Sequence, residues 1–214
     1  MTPTNPDPDR ALVSACQNPA DDGFEAAFEE LYTRYHDRVY SIAYRMMGTT
    51  SDALDVVQEA FAVLFRKIGT FRFDAKFSTW FFRLVVNCCV DAKRRESSRT
   101  PPRIAPVEDL VQTPDSVTDP GVAAESTELG DHVHLSLQRL SPKLRAVLVL
   151  RYLEGLSYDE LAASLGISLG TVKSRLARAH LAFENVLEGT LDPFGYPLDR
   201  SLRRRQSGGA EGVA

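Results

Sequence analysis

Apolar residues recur at steps of three and four along most of this chain, which is the spacing of a buried stripe on an α-helix. The first stripe predicts a helix from Phe24 to a stop at Gly48, and the second predicts a helix that ends before Gly69. Ser78 can cap a third helix, and further helices are predicted from about Gly130 onward. The sequence therefore predicts an all-α fold.

The most clearly marked pair of helices lies near the end of the chain. Ser157 and Glu160 form a capping box that begins the first helix, Gly166 permits the left-handed turn that ends it, and Ser168 can cap the second. The outward face of the second helix is basic and polar, and it comprises Thr171, Lys173, Ser174, Arg175 and Arg178. This pattern is typical of a helix-turn-helix, whose second helix enters the DNA major groove. An ordinary helical hairpin with a solvated basic face is the alternative.

The loop before the third helix is rich in aromatic residues. Residues 70–77 read TFRFDAKF, Trp80 follows within the helix, and the helix ends on Lys93, Arg94 and Arg95. Aromatic faces stack on unpaired bases while cations follow the phosphates, so the pattern is compatible with single-stranded nucleic acid binding. Phe and Trp at helical spacing also serve as core residues, which is the alternative interpretation.

A polar face on the second helix has no chemistry of its own. It carries Asp55, Gln58, Glu59 and Arg66. The chain as a whole shows no nucleophile-base pair, metal cluster or phosphate loop, so no catalytic activity is predicted. The polar face is either solvated or the docking surface of a partner.

Charge is distributed unevenly along the 214 residues. The net charge is −4, although a protein that binds DNA unaided needs positive charge to neutralise phosphates. Acidic residues, Ser, Thr and Pro concentrate between residues 96 and 131, where the helical periodicity is lost. We therefore predict a flexible acidic linker over residues 96–131, which leaves the basic faces free.

Both ends of the chain are also predicted to be flexible, as an arm over residues 1–23 and a tail over residues 190–214. What is left is two small helical domains, residues 24–95 and 132–189. No apolar run approaches the roughly 20 residues of a membrane helix, and the first residues lack the order of a signal peptide. We therefore expect a cytoplasmic protein without a membrane partner.

No metal site and no cofactor are predicted. Cys16, Cys88 and Cys89 lack the spacing of metal ligands, and the adjacent pair is interpreted as packing residues. His132 and His134 have no cluster of ligands around them and are interpreted as part of a solvated loop.

Read together, the two halves resemble the extracytoplasmic-function sigma factors, the small two-domain group of the bacterial sigma-70 family. In the first half the resemblance rests on DALDVVQEAF and FSTWFFRLVVNCCVDAKRR. In the second half it rests on LSPKLRAVLVLRYLEGLSYDELAASLGISLGTVKSRLARA. The resemblance covers roughly residues 24–95 and 135–187, and it implies a region 2 helical bundle and a region 4 helix-turn-helix.

The resemblance also implies partners and site residues. Core RNA polymerase would be bound through its clamp helices and flap, and the residues matched to this contact are Asp55, Gln58, Glu59 and Arg66. The melted −10 strand would be captured by Arg72, Phe73, Lys76, Phe77, Trp80, Asn87, Asp91, Arg94 and Arg95. The double-stranded −35 element would be read by Ser168, Thr171, Lys173, Ser174, Arg175 and Arg178. An anti-sigma factor is a further partner that the long linker would permit.

Three positions depart from the family pattern. Phe73 takes the place of a common glycine in the −10 pocket, Ala177 is small where some relatives carry a bulky residue, and His180 replaces a frequent arginine.

Two other functions compete with a promoter-specificity subunit. A sigma mimic that only sequesters an anti-sigma factor need not keep the basic faces, and a conventional helix-turn-helix repressor leaves the first-half motifs unexplained.

Overall fold

The computed structural model describes residues 7–18, 22–99 and 128–188. These ranges contain helices and no strand, which confirms the predicted all-α fold. In chain order the helices are α1 (Arg10–Ala15), α2 (Phe24–Met47), α3 (Thr50–Lys67), α4 (Phe77–Arg99), α5 (Glu128–Gln138), α6 (Pro142–Tyr152), α7 (Tyr158–Leu165) and α8 (Leu169–Glu188). A 3₁₀ turn, Ile68–Thr70, follows α3.

Local signals set several helix ends where the sequence predicts them. Gly48 ends α2 with a φ of +97°, and Gly166 ends α7 with a φ of +64°, both in the left-handed region that glycine tolerates best. The capping box is also formed, because the Glu160 amide donates to the Ser157 hydroxyl and the Ser157 amide donates to the Glu160 carboxylate. The helix-turn-helix prediction is therefore correct at the level of the backbone.

The first half of the chain is a bundle of α2, α3 and α4, with α1 packed on α2. Its centre is aromatic: Tyr35 meets Phe77, Phe81 and Phe82 edge-on, with ring centroids 5.3 to 6.2 Å apart. These four side chains are almost fully buried. The second half packs α5, α6 and α7 against the inward stripe of α8.

The two halves also pack against each other. Helix α2 meets α5 and α6, helix α4 meets α7, and one continuous set of buried apolar side chains runs through both halves. The sequence predicts two helical halves but not this packing, since the contacts join residues far apart in the chain.

Helices occupy parts of three segments for which the sequence predicts flexible or loop structure. Within the predicted flexible arm, residues 10–15 form α1. The side chains of Val13 and Cys16 are both fully buried and anchor this segment on the bundle. Within the predicted linker, α4 continues to Arg99 and α5 begins at Glu128. The rest of the linker and the predicted tail lie outside the described residues. His134 lies in α5 and is only 5% exposed, so its assignment to a solvated loop is wrong.

Candidate nucleic-acid interface

Helix α8 presents its basic face to solvent. Ser168 caps the helix, because its hydroxyl accepts from the Thr171 amide at 3.2 Å. The inward stripe of Val172, Leu176 and Ala179 is buried against the second half. This leaves the opposite face outward, with Lys173, Ser174, Ala177 and Arg178 exposed and Thr171 and Arg175 half-buried.

The cations of α8 share its outward face and lack acidic partners among the described residues. Partial burial, and then the nearby Arg178 charge, lower the pKa of Arg175. Arg178 also donates from Nε to the Ser174 carbonyl at 3.4 Å. An unpaired cluster of this kind favours an anion, which on a helix of this exposure fits a phosphate or a guanine edge.

The aromatic loop, residues 71–77, is more buried than the sequence suggests. Phe77 is 0% exposed and belongs to the aromatic centre of the first half, so its ring offers no surface to a DNA strand in this arrangement and its predicted contact stays a prediction. Phe73 is half-buried, lies 4.8 Å from the Phe71 ring, and has a φ of +58°. Arg72 and Lys76 are exposed.

The N-terminal segment, residues 7–18, holds both ends of the aromatic loop, a contact that the sequence does not predict. The Asp7 carboxylate accepts from the Phe77 amide at 2.6 Å, at the start of α4. Gln17 Nε2 donates to the carbonyl oxygen of Phe71 at 2.7 Å and to that of Ile68 at 3.2 Å. The Arg10 guanidinium lies 4.6 Å from the centre of the Phe73 ring. Asp7 thus takes the role at the start of α4 that the sequence assigns to Ser78, which lies inside the helix.

One side of α4 carries a row of polar side chains. Trp80 is half-buried against Phe71, with centroids 5.1 Å apart, whereas Asn87 and Asp91 are exposed. Arg83 is exposed between them, and sequence reasoning missed it, although its helical spacing from Trp80 could have indicated it.

The end of α4 is held by ion pairs. Arg94 pairs with Asp91 at 3.2 Å, and Arg95 pairs with Glu59 of α3 at 2.7 Å. The hydrogen bond to Glu59 raises the pKa of Arg95. The structure therefore links a residue predicted to contact DNA with one predicted to contact polymerase.

The polar face of α3 borders a groove of about 420 Å³ between α3 and α4. Asp55 and Glu59 line it, together with Asp52, Arg95 and Glu96. Gln58 and Arg66 are exposed on α3 but do not line the groove. The groove is predominantly acidic and open, which suits a basic protein surface.

Helix α7 of the second half contacts the end of the aromatic loop and the start of α4. Lys76 pairs with Glu160 of α7 at 2.8 Å, and the Ser164 hydroxyl donates to the Thr79 carbonyl at 2.9 Å. A Cβ added to Gly166 would lie 3.1 Å from Arg83 Nη2, so the two helices are in close contact there. The hydrogen bond to Glu160 raises the pKa of Lys76. Burial opposes ionisation of Glu160, but bonds from Lys76 and Ser157 outweigh it and lower its pKa.

A buried arginine closes the junction between the halves. Arg145 of α6 is 2% exposed, and its guanidinium donates to the carbonyl oxygens of Leu137, Gln138 and Leu140 and to that of Met46 in α2. These oxygens lie at or near the carboxyl ends of α5 and α2, where the helix dipoles favour a cation. Burial lowers the pKa of Arg145 to about 10, so the group is charged at neutral pH.

His134 and Gln138 of α5 complete the junction. His134 stacks on Tyr44 at 4.4 Å and donates from Nε2 to the Gly48 carbonyl at 3.2 Å, while its Nδ1 is buried without a partner among the described residues. Gln138 donates to the Arg45 carbonyl at 2.8 Å. Burial lowers the pKa of His134, so the junction is built for the neutral imidazole.

No helix within the described residues is both long and apolar enough to cross a membrane.

Comparisons with known proteins match both halves of the chain. A family model for sigma-70 region 2 matches residues 31–99, and one for sigma-70 region 4 matches residues 132–181. The ECF RNA polymerase sigma factor SigW of Bacillus subtilis is 34% identical over 170 residues, which cover 77% of this chain and 91% of that protein. SigM of Mycobacterium tuberculosis is 34% identical over 165 residues, which cover 77% of this chain and 79% of that protein.

A solved structure shares the fold. It contains the sigma factor RpoE of Bartonella quintana in complex with the anti-sigma factor NepR. The match has a TM-score of 0.58 and 22% identity, and it covers 75% of this chain and 96% of that chain.

Proposed function

The chain belongs to the extracytoplasmic-function sigma factors of the sigma-70 family, which direct RNA polymerase to promoters, and we propose how its surfaces divide that task. Residues 24–95 bind core polymerase and the melted −10 strand, and residues 132–189 bind the −35 element. The chain supplies no catalytic group, because phosphodiester synthesis belongs to the polymerase. It acts in the cytoplasm, where polymerase and promoter DNA meet.

Helix α8 reads the −35 element in the major groove. The observation that carries this assignment is the exposed, basic outward face of a helix whose opposite face is anchored in the fold. Lys173 and Arg178 reach base edges or phosphates, and Ser168 and Thr171 fix the start of the helix at the groove. Arg175 is partly withdrawn into the protein surface, so its share of the contact is smaller.

The aromatic loop and the exposed row on α4 capture the melted −10 strand. Phe73 and Trp80 are half-buried and offer ring surface, while Arg72 and Lys76 are exposed beside them. Extracting a base from the stack costs a few kcal/mol, and ring contacts with nearby cations offset that cost. Further along α4, Asn87 and the cations at its end continue the same path.

Core polymerase docks on the acidic groove between α3 and α4. Asp55 and Glu59 line this groove, and Gln58 flanks it. Glu59 also holds Arg95, so docking and strand binding share a side chain. This link offers a physical reason why DNA binding would depend on polymerase.

Promoter binding requires the two halves to separate. The −35 and −10 elements are about 25 base pairs apart, or about 85 Å along B-form DNA. In the packed form, α7 of the helix-turn-helix lies directly against the start of α4, with Ser164 and Thr79 2.9 Å apart. From this arrangement, α8 and the aromatic loop cannot reach the −35 and −10 elements at the same time. We therefore propose that the packed form is the one adopted away from the promoter.

An anti-sigma factor is a further proposed partner. The relative RpoE is solved in complex with one, and the family resemblance points the same way. Such a partner would act on the equilibrium between packed and separated halves, because a protein that favours one form shifts the population toward it.

Transcription with purified core polymerase tests the assignment. A randomised promoter library is transcribed with and without the protein, and the initiated templates are sequenced. We expect protein-dependent initiation with two enriched sequence elements separated by a fixed spacing. Binding to polymerase with no initiation from any template would instead favour a mimic that only sequesters an anti-sigma factor.

A further inference from the structure

We propose that the N-terminal segment, residues 7–18, is part of the −10 reader, by which we mean the aromatic loop and the exposed row on α4. Arg10 and Phe73 form a composite stacking surface for an unpaired base, and Asp7 and Gln17 position the loop that carries it. The proposal rests on the proposed function of the aromatic loop, and it adds a segment that the family resemblance does not include.

The backbone of Phe73 is the first observation. Its φ of +58° makes it the single non-glycine residue with a positive φ among the described residues. A side chain is strained in this region, where glycine is not, and such strain tends to persist at functional sites. Phe73 is also half-buried and packs against the edge of the core. The strained backbone makes the exposed part of its ring a candidate for a functional contact.

The surroundings of the ring indicate that role. Phe71 meets one edge of Phe73 at 4.8 Å, and the Arg10 guanidinium lies 4.6 Å from its centroid. Arg10 is exposed, and no described carboxylate pairs with it. A guanidinium with one face on a ring leaves its other face for a base and its charge for a phosphate. The surface formed by Phe73 and Arg10, with Phe71 against one edge of the Phe73 ring, can therefore be extended by an unpaired nucleotide.

The hydrogen bonds of the N-terminal segment explain how the stack is held in place. Asp7 fixes the end of the loop at the Phe77 amide, and Gln17 fixes its beginning at the Phe71 carbonyl. The segment itself is anchored by Asp9, which is 5% exposed and accepts from Tyr35 at 2.5 Å and from Arg34 at 2.7 Å. Asp7 and Gln17 act through the loop and are positioning residues.

The first experiment removes the exposed guanidinium. Holoenzyme with Arg10→Ala is compared with wild type on the randomised promoter library. We expect initiation to fall on the order of ten-fold, the size of one lost stacking contact, with altered base preference at −10 and unchanged preference at −35. Lys143→Ala, which removes an exposed cation from α6, is the matched control and should match wild type.

The second experiment uses Phe73→Gly, which relieves the positive φ but loses the ring contacts and adds conformational freedom to the unfolded chain. The melting temperature is measured beside initiation, so that a folding defect is distinguished from a binding defect. It should reproduce the −10 defect, and adding Arg10→Ala should cause little further loss, because both changes remove one surface. Asp7→Ala should also weaken −10 selection, and Asp7→Asn, which keeps an acceptor oxygen, should restore most of it.

Three outcomes overturn the proposal: Arg10→Ala behaves as Lys143→Ala does, the losses from Arg10→Ala and Phe73→Gly multiply independently, or the changed base preference lies at −35. Failure of the proposed function is distinguishable, since wild-type holoenzyme would then show no −10 preference at all.

Discussion

Helix α8 and the aromatic loop are both proposed to read promoter DNA, and the contacts that hold them differ in their range along the chain. The outward face of α8 is organised by hydrogen bonds between residues three or four apart, such as Ser168 with Thr171. The loop and the start of α4 are held from Gln17, 54 residues before Phe71, and from Ser164, 85 residues after Thr79. Helix α8 packs on α5, α6 and α7 of its own half. The −35 reader is thus held within the second half, whereas the −10 reader is held from both halves.

The −35 reader and the −10 reader also differ in how open they are to DNA. In the packed form the basic face of α8 is open to solvent, but Lys76, Thr79 and Arg83 are engaged by α7. The packed form therefore withholds the −10 reader more than the −35 reader. Separation of the halves would expose the −10 reader at the moment when polymerase needs it.

Removal of Arg145 should have the largest expected effect, a loss of folding stability, because this residue joins the two halves of the molecule. Arg145→Met keeps an apolar side chain of similar length but leaves several buried carbonyl oxygens without a donor, so we expect the free energy of unfolding to fall by about 3 kcal/mol. Urea denaturation followed by circular dichroism measures this change. If the second half can hold α8 without the first half, helicity should be lost in two steps in this variant.

Lys143→Met is the control for Arg145→Met, since Lys143 is exposed on the same helix. It should change the free energy of unfolding by less than about 0.5 kcal/mol. Equal effects of the two substitutions would contradict the role assigned to Arg145 at the junction.

Arg178→Ala tests the −35 side alone. The side chain is exposed, so stability should hardly change. Initiation at promoters that need the −35 element should fall by about ten-fold or more, corresponding to the 1–3 kcal/mol of a base contact. Binding to core polymerase, measured by fluorescence anisotropy, should be unaffected. Glu184→Ala on the same helix is the control, and lost polymerase binding in Arg178→Ala would show that α8 is misassigned.

The contrast between the two readers also explains what the sequence could predict. Capping signals and apolar spacing depend on neighbours in the chain, and they predicted α7, its end at Gly166 and α8 correctly. The burial of Phe77 and His134 could not be predicted, because it depends on residues far away in the chain. Asp7 lies in a polar, Pro-rich stretch, and no local pattern could connect its carboxylate with an amide 70 residues later.

Lys76→Met tests how firmly α7 covers the −10 side. Both partners of the Lys76–Glu160 pair are partly exposed, so the pair should favour the packed form by about 0–1 kcal/mol. We expect a two- to five-fold larger population of separated molecules, measured by energy transfer between dyes at Glu29→Cys and Glu184→Cys, both exposed sites. Lys67→Met, at an exposed position of α3, should have no effect. An equal population in both variants would show that the pair does not hold the halves together.

The smallest expected effect is a pH dependence of the same equilibrium. Burial lowers the pKa of His134 from its usual value of 6.5 and outweighs the hydrogen bond to the Gly48 carbonyl, which raises it. The nearby charges of Arg45 and Arg145 lower the pKa further, while Asp131 opposes them. The packed form therefore binds fewer protons than the separated form. The contribution of His134 to the stability of the packed form is complete above the usual pKa and is lost as pH falls from about 6.5 toward the lowered value.

Energy transfer between the same dyes, measured from pH 7.5 to 5.5, should show separation at the acidic end. His134→Phe keeps a ring to stack on Tyr44 but cannot titrate, so its profile should be flat over this range. The contribution of the Glu160 carboxylate, whose pKa is also lowered, is lost only below its usual value of 4.5, outside the range. A wild-type slope that persists in His134→Phe would assign the pH response to a group other than His134.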